Sequence, residues 1–244
     1  MQCGKERRMA ELNILYEDDD ILAAVKPAGV DSEAARGLTP DMVNLVRSRL
    51  ADGKGAPYVG VIQRLDRPVS GIMVFAKNRE SAAALSKALR EGKFRKVYRA
   101  ILCGTPEETE GTFTDWLVQE KKGNLTRTGK KREPGAKESK LTYRILRTVE
   151  RDGQAYSEAE IRLLTGRHHQ IRVQFASRGL PLLGDRKYGT VPGGSGTAGP
   201  VPDAGDPGRT ASGRQLCLCA ARLSFPHPKT GKRMDFAIDP PFTL

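Results

Sequence analysis

Apolar residues alternate with polar ones in segment after segment of this chain, and that period of two dictates a sheet. Leu141, Tyr143 and Ile145 form one such row, Ala159, Ile161 and Leu163 another, and Met234, Phe236 and Ile238 a third near the end. Ile14, Leu15 and Tyr16, then Ile21 to Val25, predict two short strands joined by the acidic turn Glu17-Asp18-Asp19-Asp20 and ended by the turn Lys26-Pro27-Ala28-Gly29. Lys93 to Leu102 predicts another strand with a basic entrance. Helical signals are fewer. Thr39 as N-cap and Pro40 at the first helical position predict a helix over 40–50. Asn78-Arg79-Glu80-Ser81 leads into an alanine- and leucine-rich helix to about Leu89. Residues 169–178 read as a helix with Ile171 and Phe175 on its buried side and Gly179 as C-cap. Many strands and three or four helices place the chain in the α+β class, on a largely antiparallel sheet.

Inside this pattern, Gln63-Arg64-Leu65-Asp66-Arg67-Pro68-Val69-Ser70-Gly71 sets one carboxylate between two arginines. Val61 and Ile62 precede it and Ile72 to Phe75 follow, so it reads as strand, exposed turn, strand. A carboxylate leaving the core at such a turn is held rigidly, and neighbouring guanidinium groups favour its ionised form. Those are the properties of a nucleophile or base. A surface ion-pair cluster on a hairpin has the same composition.

The 244 residues carry a net charge of +12. Excess positive charge supplies counterion-release affinity and steering toward a polyanion, above all nucleic acid. No run approaches the roughly 18 apolar residues of a membrane-spanning helix. Met1 to Arg8 is charged and lacks the apolar stretch of a signal peptide. Cys3, Cys103, Cys217 and Cys219 have no framework spacing, which points to a reducing cytoplasm. Cys217 and Cys219 would share one face of a strand as buried thiols rather than as a metal pair, since no second Cys/His pair stands nearby.

The layout expected is a tail over 1–11 and one catalytic domain over 12–244. Within it, 119–140 carries Lys121, Lys122, Arg127, Lys130 and Lys131 among glycines and has too little apolar content to pack. It reads as a mobile basic loop, either merely solvated or contacting the backbone phosphates of a nucleic acid. Residues 190–214 are rich in Gly, Pro, Ala and Ser and read as a disordered insertion.

Further dense segments follow. Thr165-Gly166-Arg167-His168-His169-Gln170-Ile171-Arg172 crosses a glycine turn into a helix. The adjacent histidines point apart, with no carboxylate at i+3 or i+4, so zinc is disfavoured. Leu183-Gly184-Asp185-Arg186-Lys187-Tyr188-Gly189 is a turn with a strong charge pair, and Phe225-Pro226-His227-Pro228-Lys229-Thr230-Gly231 a hairpin turn.

Taken in order, Arg-Leu-Asp-Arg-x-x-Ser-Gly, Lys-x-Tyr-x-Ala, Gly-Arg-x-His-Gln-Ile-Arg, Leu-Gly-Asp-x-x-Tyr-Gly and His-Pro-x-Thr-Gly closely resemble the RluA-type pseudouridine synthases, over nearly the whole chain. The resemblance implies a mixed, mostly antiparallel sheet flanked by helices and loops and crossed by an RNA cleft. It also implies isomerisation of uridine in ribosomal or transfer RNA, with no metal or organic cofactor, by a monomer. Asp66 matches the catalytic aspartate, acting at the ribose as nucleophile or base. Arg172 matches the arginine paired with it, and Tyr98 the tyrosine that stacks on the target base and assists proton removal. Arg64 matches the arginine that displaces the base, since a stacked uridine must be extruded before C1′ or C5 can be reached. Gln63, Arg67, Arg167 and His169 complete the expected RNA contacts near the site.

Two departures from the family pattern stand out. Gln63 replaces the usual histidine before Arg-Leu-Asp, and Val69 the usual threonine. His168 stands where a small or hydroxylated residue is common. A second reading is an RNA-binding relative that chaperones RNA without chemistry, and a third a metal-dependent nuclease on His168, His169 and Asp185. Before Leu12 there is no room for the accessory RNA-binding domain some relatives carry, so target choice falls to loops 119–140 and 190–214.

Overall fold

In the computed structural model, residues 12–33, 41–53, 55–120, 123–189, 209–210 and 213–244 are described. The tail over 1–11, Lys121, Lys122 and most of 190–214, the expected disordered insertion, lie outside them. Thirteen strands and three helices follow in the order β1 (Asn13–Glu17), β2 (Ile21–Lys26), α1 (Met42–Leu50), β3 (Gly60–Val61), β4 (Ser70–Ala76), α2 (Arg79–Arg90), β5 (Arg95–Cys103), β6 (Glu110–Gln119), β7 (Thr126–Gly129), β8 (Lys137–Arg151), β9 (Gln154–Leu163), α3 (Gln170–Ala176), β10 (Arg209–Thr210), β11 (Gly213–Arg214), β12 (Leu218–Pro226) and β13 (Arg233–Ala237). Eleven of the strands form one sheet in the order β1-β2-β4-β12-β5-β9-β8-β6-β7, with β3 on β4 and β13 on β12. All its pairings are antiparallel except β4 with β12. The mixed, mostly antiparallel α+β architecture is therefore as the sequence implied.

Because side chains alternate across a strand, the sheet has two apolar faces to cover. On one, Met42 and Val46 of α1 and Ile171 and Phe175 of α3 pack with Met73, Phe75, Tyr98, Leu141 and Ile161. On the other, Leu85 and Ala88 of α2 meet Ile21, Ile72, Val74 and Phe225. Cys103, Cys217 and Cys219 are buried thiols in a third cluster.

Helix starts differ in detail from the sequence pattern. The cap of α1 is Asp41, whose carboxylate accepts from the Asn44 amide at 2.8 Å, and not Thr39, which lies outside the described residues. An aspartate satisfies an orphan N2 or N3 amide as well as a threonine does. Asn78 caps α2 as expected, accepting from the Ser81 amide.

Within the loop expected at 119–140, residues 126–129 and 137–140 are paired strand, joined by turns. β7 pairs with the end of β6 from Trp116–Gly129 to Gln119–Thr126, and β8 starts at Lys137. The segment lacks apolar residues, but main-chain hydrogen bonds hold it. Arg127 bonds Glu133 and lies 3.2 Å from Glu120, which neutralises part of its charge. Thr126 is buried against Tyr188 and His168.

Two motifs serve the frame. His227 Nδ1 accepts from the Lys229 and Thr230 amides, which leaves the ring proton on Nε2 to donate to Asp18 at 2.8 Å. The carboxylate of Asp18 also takes the Asp20 and Ile21 amides. The chain's opening turn is thus fastened to the β12–β13 hairpin.

Candidate active site

The stretch between β3 and β4 leaves the sheet at Ile62 and returns at Ser70, and Asp66 sits at its middle. Backbone bonds lace this loop to the turn after β2. Ser32 Oγ donates to Leu65 O at 2.7 Å and accepts from the Leu65 amide at 3.0 Å. Arg67 O accepts from the Gly29 amide at 2.8 Å and from Lys26 Nζ at 3.1 Å, while Arg67 Nε donates to Gly29 O. Lys26 is fully buried, and its ammonium also donates to Pro27 O and Val30 O. Burial pushes it down to about 8, against the opposing pull of Asp31 and Asp66. Gly71, with φ of 134°, closes the loop: a Cβ there would lie 2.5 Å from the Ala220 amide nitrogen, so only glycine lets β4 and β12 meet.

The expected exposed turn is instead part of a cleft. Leu65 and Val69 are buried, and the Asp66 side chain is 31 % exposed. Desolvation raises the Asp66 carboxyl above its ordinary value, outweighing the opposing charges of Arg172, His168 and Lys26. The flanking arginines are not among the charges that set its ionisation: both are exposed, and Arg67 Nε donates to Gly29 O.

Helix α3 supplies the other wall. Gln170 locks the turn before it, its Oε1 accepting from Thr165 Oγ1 and the Arg167 amide and its Nε2 donating to Lys140 O and Gln174 Oε1. His169 caps the helix in a left-handed conformation, φ 52° and ψ 22°, a conformation that costs a non-glycine residue roughly 1 kcal/mol or more. One turn on, Arg172 is 3 % exposed. It grips Asp185 with Nε at 2.7 Å and Nη2 at 2.6 Å and leaves Nη1 3.8 Å from Asp66. Asp185 is the residue that sequence reasoning missed. It also takes the Lys187 and Tyr188 amides. Its approach depends on Gly184, where a Cβ would stand 2.1 Å from Gln215 O.

His169 lies behind the carboxylate, buried to 6 % and 3.6 Å from Asp66 through Nε2. Burial and the charge of Arg172 push it down to about 3, so the ring is neutral. Tyr188 Oη accepts from the Thr126 amide at 2.9 Å and lies 2.7 Å from His169 Nδ1. With that hydroxyl donating to Nδ1, the ring proton rests on Nε2 and faces Asp66. His169 therefore meets Asp66 and Tyr188 through its ring nitrogens and also borders the cleft.

Asp66, Tyr98 and Arg172 line one cavity of about 290 Å³, with Gln63, Arg64, Lys96, Leu163, Arg167 and His168. A second opening of about 610 Å³ shares Asp66, His168, His169 and Arg172 and adds Arg67, Asn124, Arg186 and Lys187. Tyr98 is both the core residue its alternation suggests and a cavity wall; burial, with Asp66 adding to it, pushes its phenol up, so it stays protonated. Lys96, half buried, is pushed down by burial alone. Arg127, Lys130 and Lys131 line neither opening, and Lys131 lies instead 5.9 Å from the Trp116 ring. Both polar atoms of the Gln63 amide are buried without a hydrogen-bond partner.

A possible metal set among the described residues, Asp18, Asp20 and His227, stands in the frame. Its carboxylates already accept from Tyr16, Asn78, Ser81 and backbone amides.

Residues 20–177 match the family model described as RNA pseudouridylate synthase. The chain belongs to that family. An uncharacterized RNA pseudouridine synthase of Aquifex aeolicus (strain VF5) is 32 % identical over 239 residues, covering 96 % of this chain and 71 % of its own. The ribosomal large subunit pseudouridine synthase D of Pasteurella multocida (strain Pm70) is 32 % identical over 228 residues, 92 % of this chain and 66 % of its own. In fold, the pseudouridine synthase chain resembles human RNA pseudouridylate synthase domain containing 4, at a TM-score of 0.73 and 20 % identity over 94 % of this chain and 88 % of that one. Human RNA pseudouridylate synthase domain containing 1 gives 0.71 and 22 % over 95 % and 84 %. The chain is thus an RNA pseudouridine synthase, an isomerase, as its ordered motifs implied. Among the described residues, no helix is long and apolar enough to cross a membrane.

Proposed function

We propose that the uridine this pseudouridine synthase isomerises is flipped out of its RNA into the smaller cavity, where Asp66 is the reacting carboxylate. The observation that carries this reading is the joint presence of Asp66, Tyr98 and Arg172 around one cavity. The carboxylate acts at the ribose, the N1–C1′ bond breaks, the uracil turns, and C5 joins C1′. The C5 proton then passes to Asp66, free again at that point, and N1 ends protonated. A carboxyl raised by burial suits this last step, since it is a stronger base than an exposed one. Tyr98, kept protonated, acts as a stacking wall rather than as the proton acceptor. Arg172 offsets the charge of Asp66 in a site that burial would otherwise neutralise.

Arg64, exposed at the rim and lining the cavity, enters the gap left by the displaced base. Relatives named for the large ribosomal subunit favour ribosomal over transfer RNA as the substrate, met in the cytoplasm. The test is carbodiimide mapping of pseudouridine in unmodified ribosomal and transfer RNA after incubation with enzyme. Wild type should convert discrete uridines, and Asp66→Ala none. Identical profiles for the two would sink the assignment.

A further inference from the structure

We infer that His168 is a stacking platform for the base adjacent to the target uridine, a role that rests on the reading of the smaller cavity as the uridine site. His168 is the residue that departs from the small or hydroxylated type expected at this place in the motif. Its imidazole is fixed from two sides: Thr126 Oγ1 lies 2.7 Å from Nδ1, and the His169 ring lies parallel beneath it, centroids 3.7 Å apart and planes at 28°. His169 is in turn tied to Tyr188. A ring so held loses little freedom on binding, which is what makes a wall effective.

The location adds a second argument. His168 is one of four residues that border both openings, and the other three are the buried or reacting groups Asp66, His169 and Arg172. Half exposed, with one face on His169 and no other aromatic ring against it among the described residues, it lines the cleft at both openings. A strand that places one nucleotide in the first opening must carry the next past this ring toward the second. Cations surround that path, Arg64 and Arg167 on one side and Arg67, Arg186 and Lys187 on the other. They supply phosphate contacts, so what His168 adds is a π-face. Burial, with Lys187, Arg172 and Arg64 adding to it, also holds the imidazole down toward its neutral form, against the opposing pull of Asp66. Single-stranded RNA is read in this way, by unstacked bases laid on aromatic side chains.

The experiment uses the full chain and fluorescein-labelled single-stranded RNA 12-mers with one uridine, flanked by adenines or by an abasic site on either side. Affinity is measured by anisotropy over a salt series, for wild type, His168→Ala, His168→Phe and His168→Asn. We expect His168→Ala to bind the adenine-flanked RNA about tenfold more weakly, within the range of one lost stack. His168→Phe should keep the affinity. His168→Asn, which retains a partner for Thr126 but no ring, should lose as much as His168→Ala. An abasic site on one side should erase the difference among all four, and the salt slopes should coincide. Equal binding by His168→Ala and wild type overturns the inference, as does a loss in His168→Phe matching that in His168→Ala, or a loss that persists on abasic RNA. Because binding alone is read, a failure of the chemistry assigned to Asp66 leaves this result intact and separately visible.

Discussion

Arg172 holds Asp185 at 2.6 and 2.7 Å with two nitrogens and stands 3.8 Å from Asp66 with the third. The cation nearest Asp66 is thereby fixed by a different carboxylate, itself completely buried at its side chain. A guanidinium gripped in this two-pronged way cannot swing toward Asp66 or into solvent. It presents a fixed charge to a group whose own environment opposes ionisation.

Removing the grip leaves an uncompensated buried cation. Asp185→Asn should destabilise the fold by about 3–5 kcal/mol, the usual cost of breaking one side of a buried pair. Urea unfolding at pH 7 measures it. A change under 1 kcal/mol would show that Arg172 is not held as described.

Asp66 is raised by burial, so its acid limb should lie above the ordinary carboxylate value of 3.8. With Asp66 as the proposed reacting carboxylate, activity should fall as pH drops through the raised value; kcat/KM from pH 4 to 8 on a mapped substrate RNA reads this. For stability the sign reverses. The folded protein holds this proton to higher pH than the unfolded chain, so ionisation of Asp66 weakens the fold as pH rises above 3.8. Asp66→Asn should therefore abolish product while its Tm at pH 7 equals or exceeds that of wild type.

Lys26 titrates at about 8 when folded and at 10.5 when unfolded. Between those values the unfolded chain binds the extra proton, so this group makes the fold more stable as pH rises from 8 to 10.5, by up to about 3 kcal/mol. Wild type should gain that much over Lys26→Met across the window in paired denaturant titrations. Parallel curves for the two proteins would refute it.

Gln63 carries a buried amide with neither donor nor acceptor satisfied, a situation that typically costs about 1–3 kcal/mol per group. Gln63→Met keeps the shape without the polar atoms, and chemical denaturation should show it about 1 kcal/mol more stable. A loss of stability of that size would mean the amide has a partner in solution.

What the sequence made legible is instructive at the level of single residues. Asp66, Tyr98 and Arg172 each lie in a local motif, and the order of the motifs carries their relation. Asp185 was visible as a charged turn, but its partner sits on another element, and no local pattern connects a turn to a helix interior. Lys26, read only as the start of a turn, gave no sign of burial for a similar reason: three carbonyls enclose it, one of them from the distant Arg67. Residues 126–129 escaped because their strand is secured by main-chain pairing and ion pairs, which leave no hydrophobic period to read. Helix α2 was legible because its cap and apolar spacing agreed; α3 was legible from the spacing of Ile171 and Phe175, although it ends at Ser177 and not at the expected Gly179.

The insertion of β12 between β4 and β5 has a consequence for how the molecule comes into being. As the chain leaves the ribosome, the strands over 70–76 and 95–103 emerge early, yet the element that joins them arrives only with residues 218–226. Until then Gly71 faces no Ala220, and the loop bearing Asp66 has lost one of its two supports. Pairings this distant in sequence are slow to close. Nascent chains arrested before residue 218 should therefore stay protease-sensitive around Asp66, so the loop that bears it takes its final shape among the last events of synthesis.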